Sequence, residues 1–283
     1  NVLVMEPFYT NYSGFGAMAG VDVIGVPTRA EDGFQIPPIK EFASRLTDKT
    51  RAIMICNPNN PTGAVYSREA LEELSRFAQE HGLFLISDEV YREFTYDGEK
   101  QVSVMHLDGV RESAILVDSV SKRYSACGAR IGCLITHNKE ILDAVMRMGQ
   151  ARLCPPTLEQ VGSMAAVDMP DEILQSIISE YDHRRNVLHT GLNKIEGVYC
   201  EMPRGAFYMM VNLPVTDSDA FARFMLEEFD YNGRTVMVAP GAGFYATEGL
   251  GRDQVRMAYV LNESELVAAV EVLEKGLQAF NGR

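Results

Sequence analysis

Apolar residues fall along this chain in blocks of two kinds. Val2–Met5, Val21–Val26 and Ala52–Cys56 are short runs rich in β-branched side chains, and Leu83–Ser87 is an unbroken apolar run without alternation. That pattern predicts a strand covered on both faces, as in a parallel sheet. Ala114–Val117 and Cys133–Thr136 read the same way. Between them lies helical spacing. Ser67 is a good N-cap, Leu71, Leu74, Phe77 and Ala78 share one helical face, and Gly82 ends it. Strand, helix and strand joined by short links predict a layered α/β fold with a parallel sheet.

The texture changes after Pro155–Pro156. Helices are expected over Thr157–Asp168 and, long and amphipathic, over Pro170–Ile195. Strands follow at Gly205–Leu213, Thr235–Val238 and Val255–Leu261, with helices at Ser218–Phe229 and Ser264–Phe280. This is an α+β pattern, and it predicts two domains, a large one over 1–175 and a smaller one over 176–283. No internal repeat or low-complexity segment interrupts either.

Composition narrows the partners. Against 26 Lys and Arg stand 39 Asp and Glu, a net charge of −13. Such a surface repels polyanions, so neither nucleic acid nor an anionic membrane is expected as a partner. No apolar run approaches a membrane span. The five cysteines, Cys56, Cys127, Cys133, Cys154 and Cys200, form no C-x-x-C pair and read as buried thiols of a reducing compartment, the cytoplasm. The chain opens directly on a strand-like run, N-V-L-V-M-E-P-F-Y, and is expected to have been cut from something longer.

Three chemically loaded segments follow strand ends: N-P-N-N-P-T-G (57–63), D-E-V-Y (88–91) and S-V-S-K (119–122). In a parallel sheet, loops at the carboxyl ends of the strands gather at one crevice, so these three are expected to meet. A lysine there, as a neutral amine, is a nucleophile toward aldehydes. The hydroxyls of Ser119 and Ser121 with the Arg130 fork make a seat for phosphate. An aldehyde that carries a phosphate fits both, and pyridoxal phosphate is such a molecule. Arg256 is the one charge in the apolar run V-R-M-A-Y-V-L and suits a bidentate carboxylate.

These motifs, with S-V-S-K-R-Y-S-A-C-G-A-R-I-G (119–132), P-R-G-A-F-Y (203–208) and A-P-G-A-G-F-Y (239–245), resemble the fold-type-I pyridoxal-phosphate aminotransferases of class I, the aspartate aminotransferase-like group. The likeness runs in order along essentially the whole chain. It implies a three-layer α/β large domain with a mostly parallel sheet and a smaller α+β C-terminal domain. It implies that Lys122 carries the cofactor covalently and moves the substrate's α-proton. Asp88 would face the pyridine nitrogen, Tyr91 and Asn60 the phenolic oxygen, and Ser119, Arg130 and Ser121 the phosphate. Tyr9 would stack on the cofactor ring, and Arg256 would grip the substrate α-carboxylate beside Asn60. No metal is expected.

The implied reaction is a ping-pong transamination of an amino acid with a 2-oxo acid, aspartate with 2-oxoglutarate as first choice, in a cytoplasmic homodimer. Alanine or aromatic aminotransferases, a pyridoxal-phosphate carbon–sulfur lyase and the cofactor-sensing part of a transcriptional regulator share the same motifs. Family members carry a further segment ahead of this start. The chain is therefore expected to be a fragment, or to lack an ordered first part and its cofactor.

Overall fold

A computed structural model describes residues 1–283. Its first sheet holds β1 (Val2–Glu6), β2 (Val23–Pro27), β3 (Ala52–Cys56), β4 (Phe84–Asp88), β5 (Ala114–Ser119) and β6 (Gly132–Ile135). Their spatial order is β2-β1-β3-β4-β5-β6. The pairs among β1 to β5 are parallel and in register, Cys56 opposite Asp88 and Asp88 opposite Val117. The carboxyl ends of β3, β4 and β5 therefore share one edge.

The last strand departs from expectation. Cys133–Thr136 was expected to be a parallel strand covered on both faces, but β6 runs antiparallel to β5 and is largely exposed. The link between them holds only a four-residue helix and a short 3-10 turn. Neither is long enough to span a face of the sheet as a crossover helix would, and the strand folds back beside its neighbour.

The helices are α1 (Asn11–Ala19), α2 (Ile39–Ala43), α3 (Arg68–Glu80), α4 (Val120–Arg123), α5 (Lys139–Arg152), α6 (Thr157–Val167), α7 (Asp171–Leu192), α8 (Ser218–Glu227) and α9 (Glu263–Asn281). Ser67 caps α3 by accepting from the Ala70 amide. The helices α1, α2, α4 and α5 lie outside the stretches where helix is expected. Two glycines, Gly14 and Gly16, dilute the helical signal of α1. At α5 a signal was present, because Asn138 caps it by accepting from the Ile141 amide.

A second, antiparallel sheet orders β7 (Tyr199–Cys200), β8 (Tyr208–Asn212), β9 (Ala239–Pro240) and β10 (Gln254–Ala258) as β7-β8-β10-β9. Thr235–Val238, expected to be a strand, pairs with nothing; the ladder is made by the next two residues.

Two apolar cores support these sheets. One packs Leu3, Ile53, Leu71, Leu74 and Leu85, and the other packs Leu188, Met209, Val211, Phe221, Val255 and Leu273. Each such side chain contributes about 1.5–3 kcal/mol on burial. The second core also takes Cys56, Tyr91, Phe94 and Tyr96 from the first-sheet side. We propose the division 1–175 and 176–283 with that overlap, α7 crossing the boundary. Arg185 on α7 ties the two sides. It is 1% exposed, donates to both carboxylate oxygens of Asp97 at 2.9 and 3.1 Å, and donates to the Pro203 carbonyl at 2.8 Å.

The cysteine expectation is corrected. Cys56 and Cys200 are buried, but Cys127, Cys133 and Cys154 are exposed. They lie on the α4–β6 link, the exposed strand β6 and the turn after α5, none of which is covered by either core. No helix is long and apolar enough to cross a membrane.

Candidate active site

The three loaded segments meet. A cavity of about 540 Å³ is lined by Tyr9, Asn60, Asp88, Tyr91, Ser119, Ser121, Lys122, Arg130 and Arg256. Every residue singled out from sequence thus borders one space, together with Tyr208, Cys56, Cys127 and Phe15, to which the sequence reading gave no role.

The parallel sheet explains most of this. Asp88 ends β4, Ser119 ends β5, and Asn60 lies on the loop that leaves β3. That loop is pinned through Gly63, whose carbonyl accepts from the amides of Arg204 at 2.9 Å and Gly205 at 2.8 Å. Gly63 has φ +74°, and a Cβ there would meet the Tyr208 carbonyl at 2.8 Å. Only glycine allows both the turn and the approach. The motif N-P-N-N-P-T-G thus docks on P-R-G-A-F-Y and brings the second sheet against the first.

The polar groups are individually fixed. Ser119 accepts from the Ser121 amide at 3.0 Å, capping α4, and its hydroxyl lies 2.8 Å from the Ile131 carbonyl it can donate to. One turn on, Lys122 projects its Nζ to 5.9 Å from the ring centres of both Tyr91 and Phe207. Arg130 has a left-handed backbone, φ 57°, and donates one Nη1 bond to the Cys127 carbonyl at 2.9 Å. Its remaining donors stay free for an anion. Tyr91 donates to Tyr208 Oη at 3.2 Å. Tyr9 accepts from Asn11 Nδ2 at 2.9 Å, and its ring meets Tyr12 edge-on at 5.7 Å.

Asp88 sits among opposing influences. Burial pushes its carboxyl above the usual carboxylate range, while hydrogen bonds from Tyr12 and the Val90 amide, and the charge of Lys122, pull it back. Burial likewise pushes the Tyr91 phenol far above its ordinary value, so it stays a donor at any physiological pH. Arg256, on β10, donates Nη1 to Asn60 Oδ1 at 3.0 Å and lies 4.6 Å from the Tyr208 ring centre and 5.0 Å from that of Phe244.

Sequence and structure comparisons bear on what the cavity serves. The family model described as "Aminotransferase class I and II" matches residues 1–273. The chain belongs to the class I and II aminotransferases. An aspartate aminotransferase of Bacillus subtilis (strain 168) is 32% identical, the match covering 97% of this chain and 69% of the relative. Aromatic-amino-acid aminotransferase 2 of Thermococcus litoralis is 34% identical, over 98% of this chain and 70% of the relative. The crystal structure of an aromatic aminotransferase from Pyrococcus horikoshii OT3 superposes with a TM-score of 0.90 at 33% identity, covering 99% of this chain and 73% of that one. This aminotransferase is therefore a pyridoxal-phosphate enzyme of the α/β fold-type-I class.

The donor set suits that cofactor. Lys122 offers an amine, Asp88 a carboxylate with lone pairs left beyond its two bonds, and Ser119, Ser121 and Arg130 a cluster of donors, all around one cavity. Of the residues without a role in the sequence reading, Tyr208 stood inside a quoted motif, P-R-G-A-F-Y. Tyr12 stood at the end of E-P-F-Y-T-N-Y, where nothing local distinguishes it from a core tyrosine.

Proposed function

We propose that this aminotransferase exchanges an amino group between an L-amino acid, aspartate in the first instance, and a 2-oxo acid, 2-oxoglutarate in the first instance, in ping-pong order. The observation that carries the reading is that Lys122, Asp88 and Arg256 border one cavity although they come from three separate elements.

Lys122 would hold the cofactor's aldehyde carbon, and Ser119, Ser121 and Arg130 its phosphate. Asp88 would pair with the ring nitrogen, Tyr9 would cover the ring, and Tyr91 and the Asn60 amide would donate to the phenolic oxygen. When bound, pyridoxal phosphate supplies an electron sink for charge developing at the substrate α-carbon.

The chain's own groups do the rest. Arg256 binds the α-carboxylate through the donors that Asn60 leaves free, and so fixes the direction of the Cα–H bond. Lys122 Nζ, as free amine, would take the α-proton and could deliver it two bonds away, to the carbon that came from the cofactor's aldehyde. Asp88 holds a proton on the ring nitrogen by facing it with negative charge. Tyr208 stacks on Arg256 and keeps its fork aimed.

A second reading, an aromatic amino acid as donor, is favoured by the rings of Tyr9, Phe15, Tyr91 and Tyr208 around the same cavity. Homodimeric assembly is supported by α5 and α6, which bury no side chain and leave Met146, Leu158, Val161 and Met164 exposed. The deciding experiment supplies pyridoxal phosphate and follows product formed from aspartate, alanine, tyrosine and phenylalanine with 2-oxoglutarate. Oxaloacetate formed fastest from aspartate supports the first reading, and faster turnover of tyrosine or phenylalanine supports the second. Absence of any keto acid sinks both.

A further inference from the structure

Beyond the residues assigned so far, one buried phenol touches the site. Tyr12 on α1 donates to Asp88 Oδ2 at 2.7 Å, while the Val90 amide donates to Asp88 Oδ1 at 3.2 Å. Tyr12 is 8% exposed. Its ring stacks on Phe8 at 6.2 Å and meets Tyr9 edge-on at 5.7 Å, so its hydroxyl has little room to move. A phenol so enclosed is an expensive way to build a core unless its hydroxyl has a partner. Its partner is the carboxylate that borders the cavity.

We propose that Tyr12 is a positioning residue for Asp88, holding its carboxylate in one orientation and in the charged form. The proposal rests on the reading of Asp88 as the partner of the cofactor's ring nitrogen. One bond to each oxygen fixes the carboxylate plane and leaves the remaining lone pairs for that partner. The charged form needs such help. Around Asp88 stand Cys56 from the end of β3, Tyr91 beyond β4, Asp118 on β5 and Lys122 on α4, of which only Lys122 is cationic. Burial and Asp118 act against the anion, and the Tyr12 bond is the largest of the influences that favour it. Tyr12 is itself held in the phenol form, because burial first, and the neighbouring Cys56 and Asp88 next, push its ionisation well above the ordinary value. It therefore donates across the working pH range.

The test is a double-mutant cycle read by pyridoxal-phosphate affinity of the full chain, followed by absorbance. Tyr12→Phe keeps the ring and removes the donor. It should weaken binding about tenfold in the native background, the loss of one hydrogen bond to a charged group. With Asp88→Asn already present, it should change affinity by less than about twofold, since no charge remains to support. Equal losses in both backgrounds, or no loss where Asp88→Asn alone weakens binding, would overturn the role of Tyr12 and leave that of Asp88 standing. Unweakened binding by Asp88→Asn would sink the reading of Asp88, and the proposal with it. Infrared spectra of protein labelled with carboxyl-¹³C aspartate need no Tyr12 variant. Taken against Asp88→Asn, they should show an ionised Asp88 at pH 7, and a protonated carboxyl band there overturns the proposal.

Discussion

Arg256 Nη1 donates to Asn60 Oδ1 at 3.0 Å across 196 residues of chain. The bond joins β10 of the second sheet to the loop leaving β3 of the first. It occupies one of five guanidinium donors and leaves the others for a carboxylate, while Tyr208 and Phe244 flank the guanidinium. Arg256→Lys keeps the charge but loses the planar fork. The variant should lose about 10- to 100-fold in kcat/KM, a cost of ~1.4–2.8 kcal/mol. Steady-state kinetics with the best amino donor check this, and an unchanged kcat/KM would remove Arg256 from substrate binding.

Lys122 makes no ion pair, and its amine faces the Tyr91 and Phe207 rings. Lys122→Ala removes the one cation beside the buried Asp88 and its contact with the two rings, so stability should fall by only ~1 kcal/mol. On the proposed role of Lys122 as nucleophile and proton carrier, turnover should fall by at least about 10³-fold. Melting curves and keto-acid assays on the same preparation separate the two effects.

Asp88 carries a cost of burial that its proposed role at the cofactor's ring nitrogen would justify. Burial holds its folded-state pKa above that of the unfolded chain. Its charged form therefore lowers stability at every pH above the folded value, and the cost vanishes below the unfolded value of about 3.9. Asp88→Asn, without cofactor, should melt above wild type at pH 8. Near pH 4 that advantage should be gone, because Asp88 is then protonated in the folded chain and the cost of its buried charge has disappeared. Thermal scans between pH 4 and pH 8 test the crossing.

Asp97 behaves in the opposite sense. Its hydrogen bonds with the buried Arg185 hold its carboxyl below the usual range. The stabilisation is present above the unfolded value of about 3.9 and is lost as the pH falls through the folded one. Asp97 is 39% exposed, so solvent screens part of the effect. Asp97→Asn should cost ~1 kcal/mol at pH 7 and progressively less below pH 4. Urea denaturation at both pH values measures it, and an equal loss at both would show that the charge is immaterial.

Gly25→Ala offers a purely steric check. A Cβ there would run into the Glu6 carboxylate, which is fully buried and accepts from the amides of Ala246 at 2.7 Å and Thr247 at 3.1 Å. Moving Glu6 would break its bonds to Ala246 and Thr247, just after A-P-G-A-G-F-Y, so the variant should lose ~1–3 kcal/mol. A denaturation midpoint equal to that of wild type would show that Glu6 has room to move.

Local chemistry carried much of this protein. Unbroken apolar runs announced the parallel strands, because a strand buried on both faces cannot afford polar alternation. The breaker and lysine motifs at strand ends announced the cavity, because parallel strands deliver their carboxyl ends to one edge. What the chain could not announce is set by contacts between distant segments. The direction of β6 depends on the lack of a crossover helix after Ser119, and the exposure of Cys127, Cys133 and Cys154 on which surfaces the two cores leave uncovered. The partner of Tyr12 lies 76 residues away, and that of Arg256 lies 196 away. A tyrosine or an arginine looks the same in sequence whether it fills a core or aims a charge; only packing in three dimensions assigns its hydrogen bond.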